Sequence, residues 1–181
     1  MKYISLLRGI NVGGQKKIKM LDLKSLYDDL GFTHVLTYIQ SGNVIFESKD
    51  KRAESIKKTI EAEIEKRFTF SVPVEIKTAA QWNKVLHQFP FTDVDQQENG
   101  TKLLVTFLSD KLSKQAIENL TQYVIAPERL AINDNILYLY CPNGYGKTKL
   151  SNTFIEKKLG VSATTRNWKT VLKLGEMSTL N

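Results

Sequence analysis

His34–Gln40 (HVLTYIQ), Ser41-Gly42 and Asn43–Glu47 (NVIFE) form the stretch that decides the architecture. Both flanking runs are rich in β-branched and aromatic residues, and the Ser-Gly pair between them is turn chemistry. The stretch therefore reads as two strands of a hairpin. Before it, Met20–Leu30 places apolar residues at Met20, Leu23, Leu26, Tyr27 and Leu30, the period of an amphipathic helix that Gly31 stops. After it, residues 51–68 show helical periodicity through Ile56, Ile60, Ile64 and Phe68. Tyr3–Arg8 (YISLLR) in front and Val72–Lys77 (VPVEIK) behind read as strands, with Pro73 favouring an edge. The order is βαββαβ, and Ala79–Gln88 adds a short helix.

The order then recurs. Leu103–Leu108 is a strand and Leu112–Val124 a helix. Arg129–Ile132 and Ile136–Tyr140 are strands around the turn 133–135. Thr148–Leu159 is a helix, Val161–Thr165 a last strand and Asn167–Leu174 a closing helix. Residues 89–100 (FPFTDVDQQENG) are polar, acidic and turn-rich, and read as a linker between subdomains 1–88 and 101–181. A faint internal repeat agrees: Trp82–Leu86 (WNKVL) resembles Trp168–Leu172 (WKTVL), and each Trp is expected just after the fourth strand of its unit. The prediction is an α+β fold of two tandem ferredoxin-like (α/β-plait) subdomains, each an antiparallel sheet with two helices on one face.

Composition bounds the function. Of 181 residues, 41% are hydrophobic and 25% charged, ordinary values for a globular chain. One cysteine excludes an internal disulfide, and two distant histidines, His34 and His87, weaken the case for zinc or a histidine-based triad. No metal and no cofactor are expected. No apolar run approaches ~18 residues and the N-terminus lacks a signal-peptide core, so a soluble cytoplasmic protein with no membrane partner is expected. The net charge of +7 is unevenly spread: residues 1–19 hold five basic residues and no acid, and residues 142–173 hold seven against Glu156 alone. Such segregation suits an anionic partner, although basic residues also solubilise loops and helix faces.

Topology says which loops can meet. In a βαββαβ unit the loop after strand 1 and the strand 2–3 hairpin leave the same end of the sheet. That groups Arg8 and Asn11 with Gln40, Ser41 and Asn43. In the second unit the loop after strand 3 and the segment after strand 4 share an end, grouping Lys147, Thr148 and Lys149 with Arg166 and Asn167. These ten are the candidate ligand-binding residues, and both groups are expected to line one cleft between the subdomains. Gly13-Gly14 beside Lys16, Lys17 and Lys19 puts backbone N–H groups next to cations, which suits an anion and equally suits a solvated turn. Gly146-Lys147-Thr148 matches the end of a phosphate loop, but Cys141 stands where its first glycine belongs and the strands around it read as an antiparallel hairpin. Anion binding where the helix is expected to start, at Thr148, is the better reading. In Arg166-Asn167-Trp168 the indole could stack on a base, or pack in the core as Trp82 would.

At these motifs the chain resembles a bacterial family known as domain-of-unknown-function 1697. The segments are LLRGINVGG (6–14), YIQSGNVIF (38–46), GYGKTKLSN (144–152) and TTRNW (164–168). The resemblance spans nearly the whole chain and implies two α/β-plait subdomains; it carries no activity, ligand or catalytic residue with it. On the residues, the expected function is binding of a phosphate-containing ligand such as a nucleotide or RNA. An enzyme acting on a small phosphorylated or carboxylated substrate between the subdomains, or a protein-interaction adaptor, are the alternatives. Against RNA, Tyr3-Ile4-Ser5 and Val44-Ile45-Phe46 do not spell the aromatic motifs with which such sheets bind it.

Overall fold

The computed structural model describes residues 1–179. Leu180 and Asn181, the end of the second expected subdomain, lie outside the described residues. The fold is mixed α+β, with two four-stranded antiparallel sheets and, among the described residues, six α-helices. The first sheet contains β1 (Lys2–Leu7), β2 (Thr33–Tyr38), β3 (Asn43–Glu47) and β4 (Val74–Thr78), in the order β2-β3-β1-β4. Helices α1 (Met20–Asp29) and α2 (Ala53–Phe68) connect them, and α3 (Ala79–His87) follows β4. The second sheet contains β5 (Leu103–Leu108), β6 (Arg129–Asn133), β7 (Ile136–Tyr140) and β8 (Ala163–Asn167), in the order β6-β7-β5-β8. Its helices are α4 (Lys114–Thr121) and α5 (Asn152–Leu159), and α6 (Trp168–Thr179) closes the described chain. No described helix is long and apolar enough to cross a membrane.

Alternation along β1 turns Tyr3 and Leu7 towards the helices, where they join Leu23, Leu26 and Tyr27 of α1 and Ile56, Ile60 and Ile64 of α2 in one core. Ser5 lies between them and is fully buried; its hydroxyl meets the Tyr27 hydroxyl at 2.8 Å, so neither polar group is stranded. Burial pushes the Tyr27 phenol far above its ordinary range. In the second unit Leu104 and Leu108 of β5 pack with Leu120, Leu137, Leu139 and Ile155. Thr106 takes the place of Ser5, and the register of the central strand against its two neighbours is the same in both sheets. Ser5 pairs with Val44 and Ile76, the second residue of β3 and the third of β4. Thr106 pairs with Leu137 and Thr165, the second of β7 and the third of β8.

That shared register is firmer evidence of internal repetition than the tryptophan match. Trp82 and Trp168 are 86 residues apart, whereas β4 and β8 begin 89 apart. Trp168 opens α6 directly, but Trp82 sits a turn into α3, so the two are not equivalent. Both are buried, the outcome expected if the indoles pack in cores.

The chain divides into two compact units, Val85–Lys173 being one and Met1–Lys84 with the described residues from Leu174 onward the other. Residues 89–100, expected to be a linker, belong to the Val85–Lys173 unit and are held by specific contacts. Phe89 stacks on Trp168 with centroids 4.1 Å apart, and the Trp168 indole N–H donates to Gln96 Oε1 at 2.7 Å. Arg129 grips Asp93 with two hydrogen bonds, at 2.7 and 3.0 Å. The segment is polar because it is a surface turn. It is ordered because its two phenylalanines and Gln96 find partners.

Candidate anion-binding site

The connection from β1 to α1 folds into a small finger. Asn11 N–H donates to Lys16 C=O and Gln15 N–H to Val12 C=O, with Gly13 and Gly14 at positive φ forming the tip. Asn11 holds the base of the finger. Its Nδ2 donates to Ile18 O at 2.9 Å and to Gln40 O at 2.8 Å, and its Oδ1 accepts from Ile18 N at 2.9 Å. Leu7 N–H donates to Gly42 O at 2.8 Å. The β1–α1 loop and the β2–β3 hairpin therefore meet at one sheet end, as topology requires.

Gly42 is obligatory there. Its φ is +75°, and a Cβ would lie 2.6 Å from Ile10 Cδ1 and 2.7 Å from Leu7 Cβ. Asn43 is fully buried and donates to Tyr38 O at 2.9 Å and to Ser41 Oγ at 3.0 Å. Of the first candidate group, Asn11, Ser41 and Asn43 thus bond within the fold. Arg8 sits half-buried at the end of β1, its N–H on Pro73 O, and Gln40 is exposed.

A groove of about 770 Å³ opens beside this lock. Lys17, Lys19, Asn11 and Gln40 supply its polar wall; Met20, Leu21 and Phe68 are on the apolar side. Helix α1 starts in the groove with Lys19 as N-cap and no capping side chain. The N–H groups of its first turn have no intrahelical acceptor, and the helix dipole adds partial positive charge to that of the two lysines. Asp22 in the same turn offsets part of that charge. Lys17 and Lys19 lie in a basic stretch of sequence, but their place on the groove wall depended on the finger and was not readable from it.

The second candidate group is differently arranged. Helix α5 starts at Asn152, not at Thr148. Ser151 is the N-cap, accepting from Phe154 N at 3.3 Å, and a 3-10 turn at Tyr145–Lys147 comes earlier in the connection. Thr148 is extended, and its hydroxyl donates to Glu128 Oε2 at 3.0 Å. The helix start therefore falls four residues later than expected: Leu150 is buried in the core ahead of the helix, and Ser151 follows it as the cap. Lys147 and Lys149 are exposed.

Strand β8 runs two residues later than expected and includes Arg166 and Asn167. Thr165 faces Thr106, Asn152 and Tyr145, with oxygen separations of 2.7, 2.6 and 3.4 Å. Alternation sends Arg166 to the opposite face of the sheet. Arg166 donates to Thr165 O, and desolvation pushes its pKa down to about 10. The Asn167 side chain accepts from Thr170 N at 2.8 Å, capping α6. The 141–149 loop and β8 share an end of the sheet. Burial, with help from the charge of Glu128, pushes the Cys141 thiol up to about 11, so it is neutral and unreactive near pH 7.

A family model described as Protein of unknown function (DUF1697) matches residues 1–138. The match includes the finger, the hairpin and the groove, and ends before the 144–152 and 164–168 segments. No curated protein matches the chain. Among solved structures, the chain is similar to the conserved bacterial protein SP0830 from Streptococcus pneumoniae, with 24% identity, a TM-score of 0.76 and 98% of each chain covered. At that identity the likeness bears on the fold alone. With three-quarters of its length inside the match, the chain belongs to the DUF1697 family.

Proposed function

We propose that the protein binds a phosphate-bearing small molecule in the groove at the N-terminus of α1. The observation that carries this reading is a difference in loop length between units of the same register. From Leu7 to Met20 the first unit uses twelve connecting residues, whereas the second makes the same connection, Leu108 to Lys114, in five. The fold itself does not need the longer loop. A long ordered loop with a glycine tip, two exposed lysines and an uncapped helix start is the composition of an anion cradle. The groove volume is in the usual range for small-molecule sites, about 300–1,000 Å³. RNA is the less favoured ligand, because the face of the first sheet opposite α1 and α2 carries Ile4, Leu6 and Ile45, buried aliphatic residues in place of exposed aromatic ones. The strand orders and registers also support reading each unit as ferredoxin-like.

The test is thermal unfolding at low ionic strength with inorganic phosphate, AMP or a short RNA, for the wild-type chain and Lys17→Ala/Lys19→Ala. Phosphate and AMP are expected to raise Tm by mass action, and the double variant is expected to lose that rise while keeping its unliganded Tm. No rise with either ligand, or a full rise in the double variant, refutes the reading. A rise with RNA alone assigns a different ligand class.

A further inference from the structure

The two units close the seam between their helices differently. In the first, Arg67 near the end of α2 reaches Asp29 of α1 at 3.0 Å and Glu63, one turn back on its own helix, at 3.2 Å. The second unit repeats this helix end: Ile64-Glu65-Lys66-Arg67 corresponds to Ile155-Glu156-Lys157-Lys158. Ile64 and Ile155 are both fully buried. Each helix is closed by a left-handed residue, Thr69 or Gly160, whose N–H donates to the carbonyl of Glu65 or Glu156. Lys158 therefore stands where Arg67 does. Its charge is kept, but its carboxylate partners are not. Phe154 takes the place of Glu63, and the Lys158 ammonium lies over two rings, 5.0 Å from the centroid of Tyr123 and 5.8 Å from that of Phe154. Among the described residues it forms no ion pair.

This seam opens into a pocket of about 490 Å³, in which Lys158 is the one charged group among the described lining residues. Gln115 and Asn119 line it too, one turn apart on α4 and both exposed. Gln115 Nε2 donates to Asn119 Oδ1 at 3.1 Å. That leaves Gln115 Oε1 to accept and Asn119 Nδ2 to donate, the complement of a peptide group's N–H and C=O. We infer that the pocket binds a small carboxylate that also carries a peptide group, the chemistry of a short peptide's C-terminus. Lys158 holds the carboxylate, and Gln115 and Asn119 hold the adjacent peptide group. The ligand supplies from outside the negative charge that Asp29 and Glu63 supply to Arg67 from within. The ring faces place the ammonium without neutralising it, so its full charge is left for a charge-assisted bond. The volume suits a small molecule. Nothing in this inference depends on phosphate binding at α1.

The test titrates the full chain at low ionic strength with N-acetyl-dialanine, its C-terminal amide, and acetate, and follows the side-chain amide NMR signals of Gln115 and Asn119. The peptide acid is expected to bind about fivefold tighter than the peptide amide, the upper end for an exposed ion pair. It is also expected to bind tighter than acetate, which lacks the peptide group. Lys158→Met should bring the acid down to the affinity of the amide and leave the amide unchanged, and Lys158→Arg should keep the preference. Asn119→Ala should weaken acid and amide alike. Lys158 and Asn119 are exposed, so these variants should fold with the Tm of the wild type. Equal affinity for acid and amide overturns the inference. So do acetate binding as tightly as the peptide acid, an acid preference that survives in Lys158→Met, and side-chain amide signals that none of the three ligands moves.

Discussion

Replacing Asn11 with alanine tests whether the polar loop is a lock before it is anything else. The side chain makes three hydrogen bonds, two donated and one accepted, at 2.8–2.9 Å. Its loss leaves the backbone N–H of Ile18 without its acceptor, in a residue only 2% exposed. Each neutral bond contributes about 1 kcal/mol net, and an orphaned buried donor costs about 1–3 kcal/mol. Asn11 also has a φ of +56°, which alanine tolerates about 1 kcal/mol less well. The bonds share one residue and will not add fully, so the expected destabilisation is about 2–4 kcal/mol. For a chain of this length that lowers Tm by about 6–12 °C. Asn11→Gly keeps the backbone freedom and should recover about 1 kcal/mol of the loss. Asn11→Asp keeps the acceptor alone and should fall between wild type and alanine. Thermal unfolding of the four proteins side by side is the assay. An alanine variant within about 1 °C of wild type would refute the lock and leave Asn11 available as a ligand contact.

Two further perturbations follow from the same geometry. Gly42→Ala forces a Cβ against Leu7 Cβ, next to the backbone where nothing can swing aside, and adds the positive-φ penalty; it should cost more than about 2 kcal/mol in urea unfolding. A milder effect would mean the hairpin shifts freely. Cys141 should resist thiol reagents at pH 8 until the protein unfolds, and rapid labelling of the native chain would contradict its burial. Its folded pKa of about 11 lies above the unfolded thiol value of about 8.5, so its stabilising contribution is complete below pH 8.5 and is lost as pH rises towards 11. Tyr138, pushed up to about 12 by burial, acts in the same direction at higher pH. Cys141→Ala should therefore flatten the fall in stability between pH 8.5 and 11, and an unchanged slope would show the thiol is not its source.

The order of elements was legible because its signals are local. Leu23, Leu26 and Tyr27, or Ile56, Ile60 and Ile64, mark a buried helix face by spacing alone, and all six are buried where the period puts them. The meeting of the β1–α1 loop with the hairpin was legible too, because strand direction alone determines it. What could not be read was how each polar side chain is used. Asn11, Ser41 and Asn43 carry the composition of a binding loop, but hydrogen bonds to backbone and to one another consume them. The start of α5 was misplaced because Thr148 and Ser151 are both acceptable caps, and the burial of Leu150 between them decides for Ser151. Residues 89–100 read as a linker because their partners, Trp168 and Arg129, lie far along the chain.

Salt dependence separates the two basic regions as candidates for the proposed phosphate site. Lys17 and Lys19 are exposed, so their attraction for an anion acts through solvent and is screened. Arg166 is desolvated enough for its pKa to fall to about 10, and an ion held against it would be shielded from bulk counterions. The Debye length contracts from about 30 Å at 0.01 M salt to about 8 Å at 0.15 M. Phosphate at the α1 groove should therefore bind several-fold more weakly at 0.15 M than at 0.01 M. The Lys17→Ala/Lys19→Ala variant should lose both the affinity and its salt dependence. If affinity instead stays constant across that range, exposed lysines are not the source of the attraction. The groove would then give way to the neighbourhood of Arg166, where Arg166→Lys would be the variant to weaken binding, since lysine keeps the charge but not the two-pronged grip on phosphate oxygens.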